Sequence, residues 1–300
     1  MRIKKANLMS KTILITGAST GFGRDITETL SKAGHRVFAS MRDPDRRNRF
    51  HAEALRGQNI DVVELDVTDD ASVSRAVQTV LAKAGHLDVL VNNAGAGTAG
   101  ISEAFTTEQL QAIFDVNVFG IQRTLRAILP IFRKQGDGLV VNIGSVLGRF
   151  TLPFFGIYGA TKFAVEALTD GYRYDLSQLG VDVVLVQPSA YPTNFFAATQ
   201  APDDQDRAQA YGEVSGIPQK LLETFEGNFK SNDAPNPHEV AEAILRLVQQ
   251  PVGSRPDRVI VGAAFGADTV NAQAAAVQKQ VLDNFGLGFL NTLRSAHTAV

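Results

Sequence analysis

The chain has 300 residues, 44% of them hydrophobic and 20% charged, with a formal net charge of −2 at pH 7. This composition is that of a globular protein with a substantial core, and the near-neutral charge gives no reason to expect nucleic acid or an anionic membrane surface as a partner. Cysteine is absent, which excludes disulfides, thiolate metal sites and cysteine nucleophiles.

Histidine spacing and the lengths of apolar runs argue against two further classes of protein. The histidines are scattered without the spacing of a zinc site, so we expect no metal; they are His35, His51, His86, His238 and His297. No apolar run reaches the length of a membrane span. Residues 1–10 include basic residues but no signal-peptide core. We expect a disordered leader there and a cytoplasmic protein.

Predicted strands and helices alternate along the chain. Runs rich in Val, Ile and Leu predict strands at 12–16, 36–40, 60–65, 87–91, 138–143, 181–186 and 258–261. Apolar residues at helical spacing predict helices at 24–33, 69–84, 107–134 (bent near Gly120), 156–176 and 237–249. Such alternation implies parallel βαβ units, and uniformly apolar strands imply a sheet buried on both faces. We predict the α/β class: a doubly wound parallel sheet of about seven strands with helices on both faces, in one domain over residues 11–265.

A glycine-rich turn follows the first predicted strand. It reads Thr16-Gly17-Ala18-Ser19-Thr20-Gly21-Phe22-Gly23 and leads into a predicted helix. Glycines at such a junction let backbone N–H groups approach a pyrophosphate, and the helix N-terminus favours the anion. The turn predicts a dinucleotide site; the alternative is a tight connection that binds nothing.

The end of the second predicted strand favours one nicotinamide cofactor over the other. An acidic residue there would accept from the ribose hydroxyls and favour NAD. This chain has Ser40 in that place and Arg42 two residues later, and a planar guanidinium suits the 2′-phosphate of NADP. We predict NADP(H), with NAD(H) less favoured. The alternative interpretation of Arg42 is a solvated basic loop partnered by Asp43 and Asp45.

Tyr158 and Lys162 lie one turn apart on a predicted helix, thirteen residues after Ser145. Residues four apart share a helix face, so a phenol and an ammonium can meet there. A free Tyr titrates near about 10 and needs help to exchange protons at neutral pH. A fixed cation is one source of that help, so the pair predicts an acid/base group.

With these motifs in this order, the chain resembles the short-chain dehydrogenase/reductase family, and most of all its hydroxysteroid and retinol dehydrogenase-like branch. The resemblance covers about residues 11–194 and implies a Rossmann-type fold. The residues that carry it are Thr16-Gly17-x-x-x-Gly21-x-Gly23, Asp66, Asn92-Asn93-Ala94-Gly95, Asn117, Ser145, Tyr158-x-x-x-Lys162 and Pro188 to Thr193. The chain departs from the family at Ser189, where a glycine is usual.

The resemblance implies a role for each of these residues. Tyr158 is the general acid for carbonyl reduction and the base for alcohol oxidation. Lys162 lowers its pKa and holds the nicotinamide ribose, Ser145 hydrogen-bonds the substrate oxygen, and Asn117 supports a water that links Lys162 to solvent. The other implied cofactor contacts are Gly17, Ser19, Thr20, Gly21, Phe22, Gly23, Arg42, Asp66, Val67, Asn92, Asn93, Ala94, Gly95, Pro188 and Thr193.

Each role has a purely structural alternative. Ser145 could cap a turn after its strand, and Thr193 could cap a following helix. Asn93 could be a turn residue. Asn117 could be a polar residue of a helix surface. The functional interpretation is favoured because the structural one needs all these coincidences at once.

Aromatic and aliphatic residues suggest the substrate class. Phe150, Phe154 and Phe155 precede Tyr158, and the predicted substrate loop at about 190–235 contains a second apolar set: Phe195, Phe196, Tyr211, Ile217, Leu221, Leu222 and Phe225. An apolar pocket would suit a bulky apolar ketone, aldehyde or alcohol. The alternative is that these residues pack on the sheet and contact no ligand.

Residues 266–300 are predicted to form a C-terminal helical tail, with Val270, Ala274, Val277 and Val281 on one stripe. The stripe could cover the pocket, pack on the core or contact another subunit. The resemblance implies a homodimer or homotetramer. Two other functions stay open: a non-catalytic dinucleotide-sensing binding protein, and a sugar-nucleotide epimerase or dehydratase.

Overall fold

A parallel sheet forms the centre of the protein. The computed structural model describes residues 10–231 and 233–294, and within them seven strands form one sheet in the order β3-β2-β1-β4-β5-β6-β7. The strands are β1 (Thr12–Ile15), β2 (Arg36–Met41), β3 (Asp61–Glu64), β4 (Val89–Asn92), β5 (Gly138–Ile143), β6 (Val181–Pro188) and β7 (Arg258–Val261). All neighbours pair in parallel. The predicted doubly wound sheet is confirmed. The predicted leader falls almost entirely outside the described residues.

Helices connect successive strands. They are α1 (Gly21–Lys32), α2 (Arg49–Arg56), α3 (Asp70–Ala84), α4 (Thr107–Phe114), α5 (Gly120–Gln135), α6 (Gly156–Ser177), α7 (Asn194–Ala197), α8 (Gln205–Gln209), α9 (Ile217–Phe229), α10 (His238–Gln249) and α11 (Ala267–Asn284). Short 3₁₀ segments include Val146–Gly148, directly after Ser145. The bounds of the main helices agree with the predicted ones to within a few residues, except that α2 and α7 to α9 were not predicted individually.

The strands are buried on both faces, and each face has its own apolar core. One core packs α1, α2 and α10 against the sheet through residues such as Ile26, Leu55 and Ile244. The other packs α3, α5 and α6 through residues such as Val77 and Leu125. The order of the strands reverses between β1 and β4, so a crevice opens there beyond their carboxyl ends. Every predicted site residue that follows a strand therefore lies at this edge.

The long helix predicted over 107–134 contains a wide turn. α4 and α5 are joined through a π-helical segment, Asp115–Phe119, so the axis continues without a break in hydrogen bonding. Gly120 directly follows this segment, and a Cβ atom there would lie 2.9 Å from Cβ of Val67. The irregularity predicted at Gly120 thus exists, but it is a π turn before that glycine. Such turns often lie at functional sites.

The C-terminal helix α11 packs through a face that overlaps the first half of the predicted stripe, where Val270 and Ala274 are half-buried. Ala267 and Leu282 are its buried residues, whereas Val277 is 62% exposed. Its Asn271 side chain hydrogen-bonds to Gln187 of β6. The helix therefore rests on the end of the sheet near β6, and part of the apolar stripe faces outward.

Candidate active site

The glycine turn passes close to the loop after β4. Gly17 has φ of +68°, and a Cβ atom there would lie 2.8 Å from Cα of Ala94. At Gly23 a Cβ atom would lie 2.3 Å from the carbonyl oxygen of Gly17. Only glycine fits such contacts, because the neighbouring atoms are backbone. The turn is thus packed into one conformation.

The beginning of α1 offers free N–H groups at this turn. Thr20 is the N-cap residue but makes no side-chain capping hydrogen bond, and the first turn of the helix has no acidic residue. The first N–H groups of a helix have no partner inside it. In the described part of the chain no side chain takes their place at α1. Ser19, Gly21 and Phe22 therefore border a cradle that fits an anion such as a pyrophosphate.

Asn93 and Thr16 hold the cradle in place. The Asn93 amide donates to the carbonyl oxygens of Thr16 and Gly17 at 2.9 and 3.0 Å. The Thr16 hydroxyl oxygen accepts from the backbone N–H groups of Asn93 and Ala94, both at 3.0 Å. The Asn92 side chain, by contrast, bonds inside the protein to Asn142 and Thr124. Asn93 thus supports the glycine turn, and Asn92 supports the core.

Arg42 lies at the carboxyl end of β2, beside the glycine turn. Ser40 faces inward and donates to the carbonyl oxygen of Ile15 at 2.9 Å, while its own carbonyl oxygen accepts from Ala18 at 2.8 Å. Arg42 is exposed. Among the described residues no carboxylate forms an ion pair with it, and Asp45 pairs with Arg56 instead. The guanidinium is therefore free to meet a ligand.

The loops after β3 and β4 border the crevice on either side of β1. The Asp66 carboxylate accepts from the backbone and hydroxyl of Thr68 at 2.9 and 2.8 Å. Val67 is buried and lies against Gly120. Gly95 is exposed, close to the Asn117 side chain. These residues border the crevice, and their implied contacts with the adenine and the ribose stay predictions.

Ser145 follows β5 and is 8% exposed. Its hydroxyl oxygen accepts from the backbone N–H of Leu147 at 3.1 Å, which caps the short 3₁₀ turn. Ser145 thus does cap a turn after its strand, as the structural alternative stated. This contact uses the hydroxyl oxygen only as an acceptor. The O–H donor stays available for a neighbouring oxygen.

Tyr158 lies in the first turn of α6 with 7% of its surface exposed. Burial raises the pKa of its phenol above the ordinary value, and the hydrogen bond with the Ser145 side chain acts in the opposite direction. Burial disfavours the charged form of this phenol and of the Lys162 ammonium alike. The phenol is protonated at neutral pH, which is the form that can donate a proton.

Lys162 lies one turn further along α6 and is also buried. Its ammonium donates to the carbonyl oxygen of Ile143 at 2.9 Å and lies 5.6 Å from the centre of the Tyr158 ring. Burial lowers the pKa of Lys162 to about 8. A lysine with a pKa so close to neutral pH is typical of a functional site.

Asn117 lies in the π turn and is 1% exposed. Its amide nitrogen donates to the carbonyl oxygen of Ala96 at 2.9 Å and to the hydroxyl of Thr161 at 3.0 Å. Its oxygen accepts from the N–H of Ala96 at 2.8 Å. The wide turn directs Asn117 inward, where it joins the loop after β4 to the helix of Tyr158 and Lys162. The interpretation as an outward-facing polar residue is therefore wrong.

The segment Pro188 to Thr193 leaves the end of β6 and crosses toward the glycine turn. A Cβ atom at Gly21 would lie 3.9 Å from Cβ of Thr193. The Thr193 hydroxyl oxygen also caps α7 by accepting from Phe195 at 3.3 Å. Pro188 is the last residue of β6, opposite Val261. The segment thus borders the crevice beside the glycine turn, and its implied contact with the nicotinamide amide stays a prediction.

An aromatic cluster lies beside Tyr158. The Phe195 ring lies 5.2 Å from the Tyr158 ring; Phe195 packs against Phe196, which packs against Phe225. A Cβ atom at Gly97 would lie 2.5 Å from the tip of the Phe195 ring. The surrounding apolar cluster also includes Leu147, Leu152, Phe155, Leu221 and Leu222. The wall of the site next to the phenol is therefore apolar.

Two residues of the site were missed from the sequence. Tyr191 is 1% exposed, packs its ring edge-on to Phe22 and donates from its hydroxyl to Glu239 at 2.7 Å. It thereby ties the nicotinamide segment to the glycine turn. Glu166, one turn beyond Lys162, is buried in a set of ion pairs. Two signals for them were available in the sequence. Tyr191 is an aromatic residue within the segment Pro188 to Thr193, and Glu166 is a charged residue on the same helix stripe as Tyr158 and Lys162.

The described part of the chain contains neither a cluster of metal-type ligands nor a helix suited to crossing a membrane. No three His, Asp or Glu side chains there are grouped as metal ligands. None of the helices at 10–231 and 233–294 combines the length and the apolar character that spanning a membrane requires.

Comparison with known proteins points to a single family. The family model described as short chain dehydrogenase matches residues 11–204. A 3-ketodihydrosphingosine reductase of Bacteroides thetaiotaomicron is 33% identical over 239 residues, which cover 79% of this chain and 82% of the relative. Human retinol dehydrogenase 8 is 36% identical over 251 residues, which cover 79% of this chain and 78% of the relative.

Solved structures agree with this result. A short-chain dehydrogenase from Streptomyces avermitilis is 32% identical with a TM-score of 0.74, over 93% of this chain and 98% of that one. A relative from Burkholderia phymatum in complex with NAD is 25% identical with a TM-score of 0.73, over 92% and 96%. An alcohol dehydrogenase from Thermococcus sibiricus complexed with 5-hydroxy-NADP is 26% identical with a TM-score of 0.66, over 84% and 96%. Structural neighbours therefore bind NAD or NADP-type cofactors.

Proposed function

The chain belongs to the short-chain dehydrogenase family, and from this premise we propose that it is an NADP(H)-dependent oxidoreductase that interconverts a bulky apolar carbonyl compound and its alcohol. One observation carries the catalytic part: the Tyr158 phenol lies beside the Ser145 hydroxyl, with the Lys162 ammonium one helical turn away. The named relatives are reductases and dehydrogenases, so neither the sensor nor the epimerase alternative is favoured.

The residues of the chain fit a dinucleotide. The uncapped start of α1, the close approach of Gly17 and Gly23 to backbone atoms, and the exposed Arg42 form a continuous border of the crevice. Ser19, Thr20, Gly21 and Phe22 would hold the pyrophosphate, Asp66 and Val67 the adenine, and Pro188 and Thr193 the nicotinamide amide. When bound, the cofactor supplies or accepts the hydride.

Proton transfer belongs to the protein. As the substrate carbonyl is reduced, negative charge grows on its oxygen, and the O–H of Ser145 can donate a hydrogen bond to that oxygen. Tyr158 gives its proton to the same oxygen and leaves an alcohol. The Lys162 ammonium then stabilises the phenolate. Oxidation of an alcohol uses the same steps in reverse, with the phenolate as base.

Arg42→Ala is expected to weaken NADPH binding and leave NADH binding nearly unchanged. A charge-assisted hydrogen bond contributes about 1.5–3 kcal/mol, which corresponds to about a 10- to 100-fold change in Kd. The measurement is a fluorescence titration of the pure protein with each cofactor, because the chain has no Trp to interfere.

Arg133→Ala is the matched control. Arg133 is also exposed, but it lies in the last turn of α5, near the opposite edge of the sheet. Equal effects of the two substitutions on NADPH, or tighter binding of NADH by the unchanged protein, would contradict the role of Arg42.

The substrate class rests on the apolar wall around Tyr158. Leu147, Phe155, Phe195 and Phe225 give this wall an apolar surface that favours an apolar substrate chain. We expect NADPH oxidation with 2-octanone to have a kcat/KM at least about tenfold above that with pyruvate, since about two buried CH₂ groups suffice for that ratio. Comparable rates with both would contradict the apolar site.

The reaction should slow as the pH rises through about 8. Below the pKa of Lys162, which burial lowers to about 8, the ammonium carries the charge that stabilises the phenolate. Above that pH the charge is lost. The pH dependence of kcat/KM for NADPH reports the titration of groups in the free enzyme. This value should therefore be constant below about pH 8 and fall above it. A constant value up to about pH 10, the range of an ordinary Lys, would contradict this assignment.

The assembly and location of the protein stay predictions. We propose a homodimer or homotetramer in the cytoplasm, as the family resemblance implies. Sedimentation of the pure protein tests the assembly.

A further inference from the structure

A buried carboxylate lies one turn beyond Lys162. Glu166 continues the stripe of Tyr158 and Lys162 along α6 at four-residue spacing, and its side chain is 4% exposed. It takes no part in the proton transfer described above. A buried charge is costly unless it is paired, so its partners indicate what it holds together.

Glu166 contacts three other segments. Its Oε2 atom accepts from Arg149 at 2.7 Å and from Nε of Arg258 at 2.9 Å. Its Oε1 atom accepts from the amide of Gln187. Arg149 directly follows the 3₁₀ turn that Ser145 caps, and Gln187 directly precedes Pro188. The carboxylate therefore joins α6 to the loop of Ser145 and to the strand that leads into the nicotinamide segment.

The loop of residues 144–149, here the Ser145 loop, is packed tightly against this carboxylate. A Cβ atom at Gly148 would lie 2.9 Å from Cγ of Glu166 and 3.0 Å from the carbonyl oxygen of Lys162. The N–H of Gly148 donates to the carbonyl oxygen of Ser145 at 2.9 Å. A displacement of the Glu166 side chain would therefore be transmitted to Ser145 through Gly148 alone.

The C-terminal helix supports the same arrangement. Asn271 of α11 donates to the side-chain oxygen of Gln187 at 2.7 Å. This bond orients the Gln187 amide so that its nitrogen faces Glu166. Gln187 is completely buried, so no solvent group can replace these contacts.

We propose that Glu166 is a positioning residue of the active site, which holds Ser145 and the start of the nicotinamide segment in register with Tyr158 and Lys162. The inference rests on the proposed function, because it assigns Ser145 and Tyr158 to one reaction. It gives α11 a role in that site through Asn271 and Gln187.

The test compares Glu166→Gln with Asp170→Asn in the full chain. Asp170 lies one turn further on α6 and binds the same Arg258, and no contact between it and Arg149 or Gln187 is found in the described residues. Both substitutions remove one negative charge from the same network. Arg149→Met, which breaks only the link to the Ser145 loop, is the second variant in case Glu166→Gln folds poorly.

Two measurements are made: hydrogen–deuterium exchange of residues 144–149, and kcat with NADPH and 2-octanone. Glu166→Gln and Arg149→Met should each speed exchange in this loop. Each should lower kcat by about 10- to 100-fold, the effect of small misplacements of catalytic groups, with little change in the Kd of NADPH. Asp170→Asn should leave the exchange rate of the Ser145 loop and kcat near the values of the unchanged protein.

Equal loop exchange and equal kcat in the Glu166 and Asp170 variants would overturn the proposal. So would a loss of kcat without faster loop exchange, since Glu166 would then act by charge alone. If the unchanged protein does not reduce 2-octanone, the proposed function fails for that substrate, whereas the exchange comparison still decides whether Glu166 holds the loop.

Discussion

Tyr158→Phe is expected to lower kcat for carbonyl reduction by about 10²- to 10⁴-fold, the usual contribution of a general acid or base. The phenol is an acidic O–H group that the structure places beside Ser145. The substitution keeps the ring and its contact with Phe195, so the fold and the cofactor crevice should be preserved. We expect the Kd of NADPH to change little.

The measurement is a steady-state assay together with a fluorescence titration of NADPH. Tyr172→Phe is the matched control, because Tyr172 lies on the same helix and donates to Gln122 away from the site. A Tyr158→Phe protein that keeps more than about a few per cent of the original kcat would contradict the acid role, since this exceeds what a lost general acid allows.

Gly23→Ala is expected to weaken NADPH binding by about tenfold or more, corresponding to at least about 1.4 kcal/mol. The added methyl group would lie 2.3 Å from the Gly17 carbonyl oxygen and 2.4 Å from the Asn93 amide nitrogen. Because the Gly17 oxygen is a backbone atom, the glycine turn itself must shift to make room for the methyl group. Overpacking of this kind also costs about 1–3 kcal/mol of unfolding free energy.

Gly171→Ala gives the opposite result and serves as the control. Gly171 lies inside α6, is exposed, and has no atom within 4 Å of an added Cβ. Alanine there should raise the unfolding free energy by about 0.5–1 kcal/mol and leave NADPH binding unchanged. Thermal unfolding and the same titration measure both effects. Equal NADPH affinity in the two variants would show that the shape of the glycine turn does not determine binding.

Much of the fold could be predicted because its signals are local. Apolar strands and helical spacing identified β1 to β7 and the main helices, and the order of the motifs placed their residues at one edge of the sheet. The helix α2 was missed because it buries only Ala52 and Leu55. The π turn was missed because Gly120 was interpreted as a bend, while the extra residue lies before it.

The least predictable part of the site is its long-range pairing. Arg149, Arg258 and Gln187 lie 17, 92 and 21 residues from Glu166, so nothing local indicates that they meet. The pKa of Tyr158 is another case: the sequence predicts a cation nearby, but the effect of burial depends on the aromatic rings that fold over the phenol. Charges that look solvent-exposed in the sequence become buried through tertiary contacts.

The wide turn at Asp115–Phe119 holds one residue more than a regular α-helical turn would place there. Deleting one residue between 115 and 119 would let α4 and α5 join as a regular α-helix with little change in their relative orientation, because the wide turn itself takes up the extra residue. Asn117 would then lose its contacts with Ala96 and Thr161. This helix should therefore tolerate many substitutions on its surface, whereas the loss of a single residue from the wide turn should cost the site the contacts of Asn117.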